Sequence, residues 1–210
     1  MKEGGVKSPD NLCIEQRMKS DNKLIFYKML LDKYADLINQ KEQRTVGEIK
    51  TLINPDDLSV QSLVAKFKPD LFAFEKDYLF TAQQLFEFVT QEIHYTPNEL
   101  NINFWLSPTD ILAHKVSDDE DLAVLVCTSL FALGDTNAMV YVMEMEDLRT
   151  HAVVISDING KTLLLDPSVS HGFFKYYGDK SYVFKKYRFE GKKLKRALYR
   201  FNATTYEQFI

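Results

Sequence analysis

Residues 119–133 read DEDLAVLVCTSLFAL, and after the three acids the run is apolar on almost every side of a helical wheel. A helix with no polar face must be enclosed by other protein. A spanning helix needs about 20 apolar residues, and no run in this chain approaches that length. The chain therefore has to build structure around the segment. Its entrance has the opposite character. Ser117-Asp118-Asp119-Glu120-Asp121 concentrates negative charge where a helix presents free N–H groups and the positive end of its dipole.

The flanks supply two kinds of wrapping. On the N-terminal side Leu24, Tyr27, Leu30, Leu31, Tyr34, Leu37 and Ile38 recur at threes and fours, which predicts an amphipathic helix. Thr45 and Glu48 have capping-box spacing, Leu58 to Phe67 predicts a short helix, and residues 75–93 carry a further apolar stripe. Pro108 opens a short helix over 109–115. After Gly134, a plausible helix terminator, the pattern changes to strands at 138–145, 150–156 and 161–166, with Asn159-Gly160 as a hairpin turn. A last hairpin is predicted from 181–189 and 194–201, turning at Glu190-Gly191. Helices followed by a mostly antiparallel sheet is an α+β layout. The expected division is a polar tail over 1–22, a helical extension over 23–74, a core over 75–180 and a basic hairpin and tail over 181–210 packed on that core.

Composition matters in two places. Cys13 and Cys127 are the only cysteines, one in the polar start and one inside the apolar run, which argues against a disulfide framework and a thiolate zinc site. With no apolar leader at the N-terminus, the expectation is a cytoplasmic chain that does not enter a membrane. The net charge of −4 is unevenly spread, because residues 181–210 hold eight Lys or Arg against Glu190 and Glu207. Such a segment can bind nucleic acid or an acidic partner, or it can be a solvated strand face docked on the acidic body. Tyr187, Phe189, Tyr199 and Phe201 interleave with its cations, as stacking residues do in single-strand binders and as alternation in a half-buried hairpin also predicts.

Three features suggest chemistry: a Trp105-Leu106-Ser107-Pro108 segment before a helix start, His151 opening one strand and Asp166 ending the next. A nucleophile at a helix N-terminus, a histidine to take its proton and a carboxylate to orient the ring are the parts of a Cys-His-Asp triad. Those boxes, with Leu112, Ser117-Asp118-Asp119-Glu120-Asp121-Leu122-Ala123, Thr150-His151-Ala152-Val153 and Leu165-Asp166-Pro167-Ser168, resemble the transglutaminase-like superfamily over about residues 75–170. The resemblance implies a papain-like α+β core in which a central helix packs on an antiparallel sheet, with a cleft at the helix N-terminus. It also implies that Asp119, His151 and Asp166 occupy the triad places, and that Trp105, Ser117, Asp118 and Glu120 border the cleft.

Asp119 stands where the family has its nucleophilic cysteine. Cys127 lies eight residues further on, about 12 Å along a helix at 1.5 Å per residue, and cannot replace it. The expectation is a catalytically inactive member, without a cofactor, that binds a protein or peptide segment in the old cleft or serves as a scaffold. The alternative is a hydrolase or acyl-transfer-related enzyme with Asp-His or metal-assisted chemistry, for which Asp119, His151 and Asp166 are the metal-ligand candidates.

Overall fold

The structure, a computed structural model, describes residues 20–31, 45–98 and 105–209. The tail expected over 1–22 and the second half of the first helix fall mostly outside these residues. Helix α1 covers residues 20–31, and α2 (Val46–Thr51) opens with the expected capping box, Thr45 and Glu48 each satisfying the other's backbone N–H. Helices α3 (Leu58–Ala65) and α4 (Phe74–Glu92) follow. Strand β1 (His94–Tyr95), helix α5 (Pro108–His114) and strand β2 (Val116–Ser117) then lead to the central helix α6 (Asp119–Ala132).

Every residue of α6 from Asp121 to Leu130 is buried, as its uniform apolarity demands. It touches α3, α4 and α5 in the helical layer and β3 (Met139–Met145) and β4 (Thr150–Ile158) in the sheet. Phe26, Leu30, Val60 and Leu63 share one continuous core with Leu85, Phe86, Leu122 and Leu125. The described residues of the 23–74 region are thus built into the same core as α6. The helix ends in a Schellman arrangement. Asp135 N–H donates to Leu130 O at 3.0 Å and Gly134 N–H to Phe131 O at 2.9 Å, with Gly134 at φ 99° where a side chain would be strained.

The sheet runs β6-β5-β4-β3-β8-β7, with β9 (Tyr206–Gln208) paired to β8. Here β5 is Lys161–Leu165, β6 Tyr177–Gly178, β7 Arg188–Phe189 and β8 Lys192–Phe201. The Asn159-Gly160 turn has both residues at positive φ, 52° and 73°, as a two-residue hairpin needs. Alternation separates the two faces. Ala152, Val154 and Leu165 join the core around α6, while Val153, Ile155 and Leu164 join a second core with Val183, Tyr187 and Phe189 under helix α7 (Lys180–Lys186).

The C-terminal region departs from the expected hairpin. Residues 180–186 form α7, and only Arg188 and Phe189 pair as a strand with Lys193 and Lys192. Val183 and Tyr187, four residues apart, are both buried in the second core while Lys185 between them is exposed, which fits a helix face and not strand alternation, where all three would share one side. Nor is the basic segment an appendage, since β8 is an interior strand paired with β3, Tyr141 opposite Arg200 and Val142 opposite Tyr199. Among the described residues no helix is long and apolar enough to cross a membrane.

Candidate functional site

The entrance of α6 is set by a short relay of local structure. Helix α5 is capped by Ser107, whose side chain accepts from Asp110 N–H, and it stops at Lys115, which adopts a left-handed φ of 54°. That reversal sends Val116 and Ser117 into a parallel pairing with β1, with Val116 opposite His94 and Ser117 opposite Tyr95. Asp118 then serves as N-cap, its side chain accepting from Asp121 N–H at 3.2 Å. Asp121, on the inner side of the first turn, accepts from Leu106 N–H at 2.7 Å and Ser117 Oγ at 3.1 Å, tying the Trp105-Ser107 segment to the helix.

Asp119, the first helical residue, reaches the start of β4. Its Oδ2 accepts from Ala152 N–H at 2.8 Å and lies 2.9 Å from His151 Nδ1. On the other edge of the imidazole, Nε2 lies 3.1 Å from Asp166 Oδ2. Asp166 is held in turn by the Tyr187 hydroxyl, 2.7 Å from the same oxygen, and by Ser168 N–H and Oγ on Oδ1 at 3.1 and 2.6 Å. Phe189 stacks on the His151 ring at 3.6 Å and 11°. Arg149 lies beyond Phe189, its guanidinium 5.8 Å from that ring and paired with Asp147 at 2.9 Å and Glu190 at 2.8 Å.

The electrostatics follow from these contacts. Burial alone would lower the His151 pKa, but hydrogen bonds to Asp119 and Asp166, followed by their charges, outweigh it and raise it to about 9. Burial would push the Asp166 carboxyl up, yet His151, Ser168 and Tyr187 together hold it below the usual carboxylate range. His151 is therefore an imidazolium at neutral pH, with both ring N–H groups directed at carboxylates. The acids beside it are shifted the other way. Burial and then the Asp119 charge push Asp118 up to about 7, and burial first, then neighbouring negative charge, raises Glu120 and Asp121.

These shifts predict an acid-leaning stability profile. His151, raised from about 6.5 to about 9, stabilises the fold fully below pH 6.5, by roughly 3 kcal/mol, and that term is lost as pH rises through 9. Asp118 favours folding as pH falls from about 7 towards its unfolded value of about 4, since the folded state takes up the proton first. Asp166 has the opposite sign and loses its contribution only as pH drops through its depressed value. The thermal midpoint is expected to peak near pH 5–6 and fall by pH 9; a midpoint rising steadily from pH 6 to pH 9 would contradict this assignment.

A cleft of about 590 Å³ opens at this end of α6. Asp118, Asp119, Glu120 and His151 line it on one side, with Tyr95, Phe189 and Tyr199 among its aromatic walls. Two of the residues expected to border it do not. Trp105 is buried and packs edge-on against Phe201 at 5.7 Å, and Ser117 is fully buried behind the first turn, donating to Asp121. The three metal-ligand candidates do not converge, because Asp119 and Asp166 lie on opposite nitrogens of His151. Among the described residues no group of three or more His, Cys, Asp or Glu side chains is placed to hold a metal ion. Cys127 is buried in the middle of α6, where burial pushes its thiol pKa far up.

A family model described as a transglutaminase-like domain matches residues 64–192. The chain belongs to the transglutaminase-like family. Among solved structures, this transglutaminase-like chain is similar to Legionella pneumophila LapG. The EGTA-treated form is 16% identical with a TM-score of 0.53, covering 86% of each chain. The calcium-bound form is 17% identical with a TM-score of 0.52, covering 85% of this chain and 87% of that one. At such identities the likeness establishes a shared fold. No curated protein matches the sequence.

Sequence reasoning missed Tyr187, Phe189 and Arg149 as members of this site. The aromatic pair was visible as alternating large residues, but alternation does not say which buried group a ring will cover. Arg149 lies just ahead of β4, two residues before His151, and lines the same cleft.

Proposed function

We propose that this transglutaminase-like protein is not an acyl-transfer enzyme and instead binds a protein or peptide segment in the cleft at the N-terminus of α6. The observation that carries the reading is the double clasp on His151, Nδ1 at 2.9 Å from Asp119 and Nε2 at 3.1 Å from Asp166. A general base needs a free nitrogen lone pair beside a nucleophile. Here the imidazolium has both nitrogens protonated, and a carboxylate stands in the nucleophile's place. Attack by that carboxylate on an amide would form an anhydride from a weak base, an unfavourable route to acyl transfer. The polar groups instead join the helix layer to the sheet, and the cleft in front of them keeps a mixed aromatic and acidic lining suited to an extended segment.

The test has two arms. Incubated with a complex peptide mixture, the protein is expected to give no new cleavage or amide-exchange products by mass spectrometry; turnover that disappears in His151→Ala would overturn the reading. A displayed peptide library is expected to yield binders that are lost on Thr150→Trp, which adds bulk to the cleft lining at a residue outside the His151 clasp. Binders indifferent to that substitution would place the binding surface elsewhere.

A second reading draws on Asp118. A cleft-lining carboxyl raised to about 7 is a property of general acids. It requires hydrolysis of some substrate that is abolished by Asp118→Asn with the fold intact.

A further inference from the structure

Each cation at the cleft is outnumbered by carboxylates. His151 lies between Asp119 and Asp166, and Arg149 pairs with both Asp147 and Glu190. Neither has charge to spare for the two further acids of the cleft lining, Asp118 and Glu120. Asp118 is buried as the cap of α6 and accepts from Asp121 N–H. Glu120 makes no hydrogen bond or ion pair among the described residues, although it is only partly exposed. Burial, followed by the charges of Asp118 and Asp119, raises its carboxyl above the ordinary range, as expected of negative charge short of a counter-ion.

Aromatic rings stand beside these acids. Burial, followed by the charges of Asp119, Glu190 and Asp118, keeps the Tyr95 phenol protonated far above its usual range, and burial followed by Glu120 does the same for Tyr199. Both rings line the cleft. Carboxylates next to aromatic rings attract a cation through their charge and through the ring quadrupole together. Leu148, held at φ 68° in the β3–β4 turn and largely exposed, adds an apolar edge to the same cleft, along which a long aliphatic stem can lie. Since no group of three or more ligating side chains among the described residues is placed to hold a metal ion, these surroundings suit an organic cation carried on a flexible stem.

We propose that the cleft takes a basic segment of a partner polypeptide, with an arginine or lysine side chain pairing with Asp118 and Glu120 against the rings of Tyr95 and Tyr199. The inference rests on the peptide-binding reading of the cleft and names the chemistry of its ligand. Arginine fits better than lysine, because a planar guanidinium stacks on a ring and its fork of donors can serve two carboxylates at once. The cleft of about 590 Å³ has room for a side chain of this size together with its backbone. The net charge of −4 on the whole chain steers a basic segment inward rather than opposing it.

Fluorescein-labelled tetraarginine and tetraglutamine, titrated with the full chain and followed by fluorescence anisotropy at low salt, provide the test. A pH of 8 keeps Asp118 ionised, above its raised value of about 7. Saturable binding of tetraarginine is expected, about tenfold tighter than of tetraglutamine. Glu120→Gln, which removes a charge without removing a hydrogen bond, is expected to weaken it roughly fivefold, and Asp118→Asn/Glu120→Gln roughly thirtyfold. Asparagine keeps the helix cap, and the thermal midpoint checks that the double variant is folded. Asp70→Asn/Glu75→Gln removes the same charge from exposed positions outside the cleft lining and is expected to leave binding unchanged. No binding of tetraarginine, a loss in the Asp70/Glu75 control equal to that in the cleft variant, indifference to Glu120→Gln, or tighter binding of free spermidine in competition would each overturn the proposal. Library binders that are lost on Thr150→Trp yet carry no arginine or lysine would overturn it while leaving the peptide-binding reading in place; no cleft binder of any charge would remove both.

Discussion

Asp119→Cys, made in a Cys13→Ser background, is expected to yield a thiol that iodoacetamide alkylates at pH 6 about tenfold faster than an unstructured cysteine. The sulfur would sit at the first position of α6 and beside His151 Nδ1, the two influences that depress a thiol pKa from about 8.5 to as low as 3.5–7.5. The thiolate fraction at pH 6 would rise about a hundredfold, and the lower intrinsic nucleophilicity of a low-pKa thiolate takes back roughly a factor of ten. Cys127 supplies no background, being buried with its pKa pushed up. Adding His151→Ala is expected to remove most of the enhancement. Equal alkylation rates in Asp119→Cys and the unfolded chain would mean that position 119 does not have the electrostatic surroundings described above.

His151→Ala is expected to cost about 3–5 kcal/mol, lowering the thermal midpoint by roughly 10 °C. The loss comes from what is left behind. Asp166 is almost fully buried and Asp119 largely so, and without the imidazolium their charges have no counter-ion. The ring of Phe189 also loses the surface it covers at 3.6 Å. The double variant His151→Ala/Asp166→Asn is expected to recover part of the stability by removing one uncompensated charge, while Asp166 keeps its Tyr187 and Ser168 contacts through the amide only in part. A His151→Ala loss below about 1 kcal/mol in urea unfolding would show that the clasp does not hold helix to sheet.

Where periodicity was strong, the sequence was enough to place structure. The apolar run that follows the three acids at 119–121 became the buried central helix, the Asn159-Gly160 pair its predicted hairpin, and Thr45 with Glu48 the predicted capping box. The placement of residues 119 and 166 on either side of His151 was approached through resemblance, because ordered boxes carry long-range information that local spacing lacks. Two things were not legible. Residues 181–186 alternate well enough to suggest a strand, and only the depth of the pocket for Val183 and Tyr187 decides for a helix. Trp105 looked like a cleft wall because large aromatic residues suit both walls and cores, and its neighbour Phe201, 96 positions away, supplies the core.

The place of β8 has a consequence for biosynthesis. Strand β3 forms its ladder with β4 as soon as both are made, but its other edge is completed only by β8, as in the pairing of Met145 with Leu194, 49 residues later. At a translation rate of about 5–20 residues per second, that edge waits for several seconds after β3 leaves the ribosome. An unpaired interior edge is a template for wrong partners. The nascent chain therefore passes through an interval with that edge of β3 unpaired, and a stop codon anywhere between the codons for β4 and β8 would release a product with its sheet open in the middle.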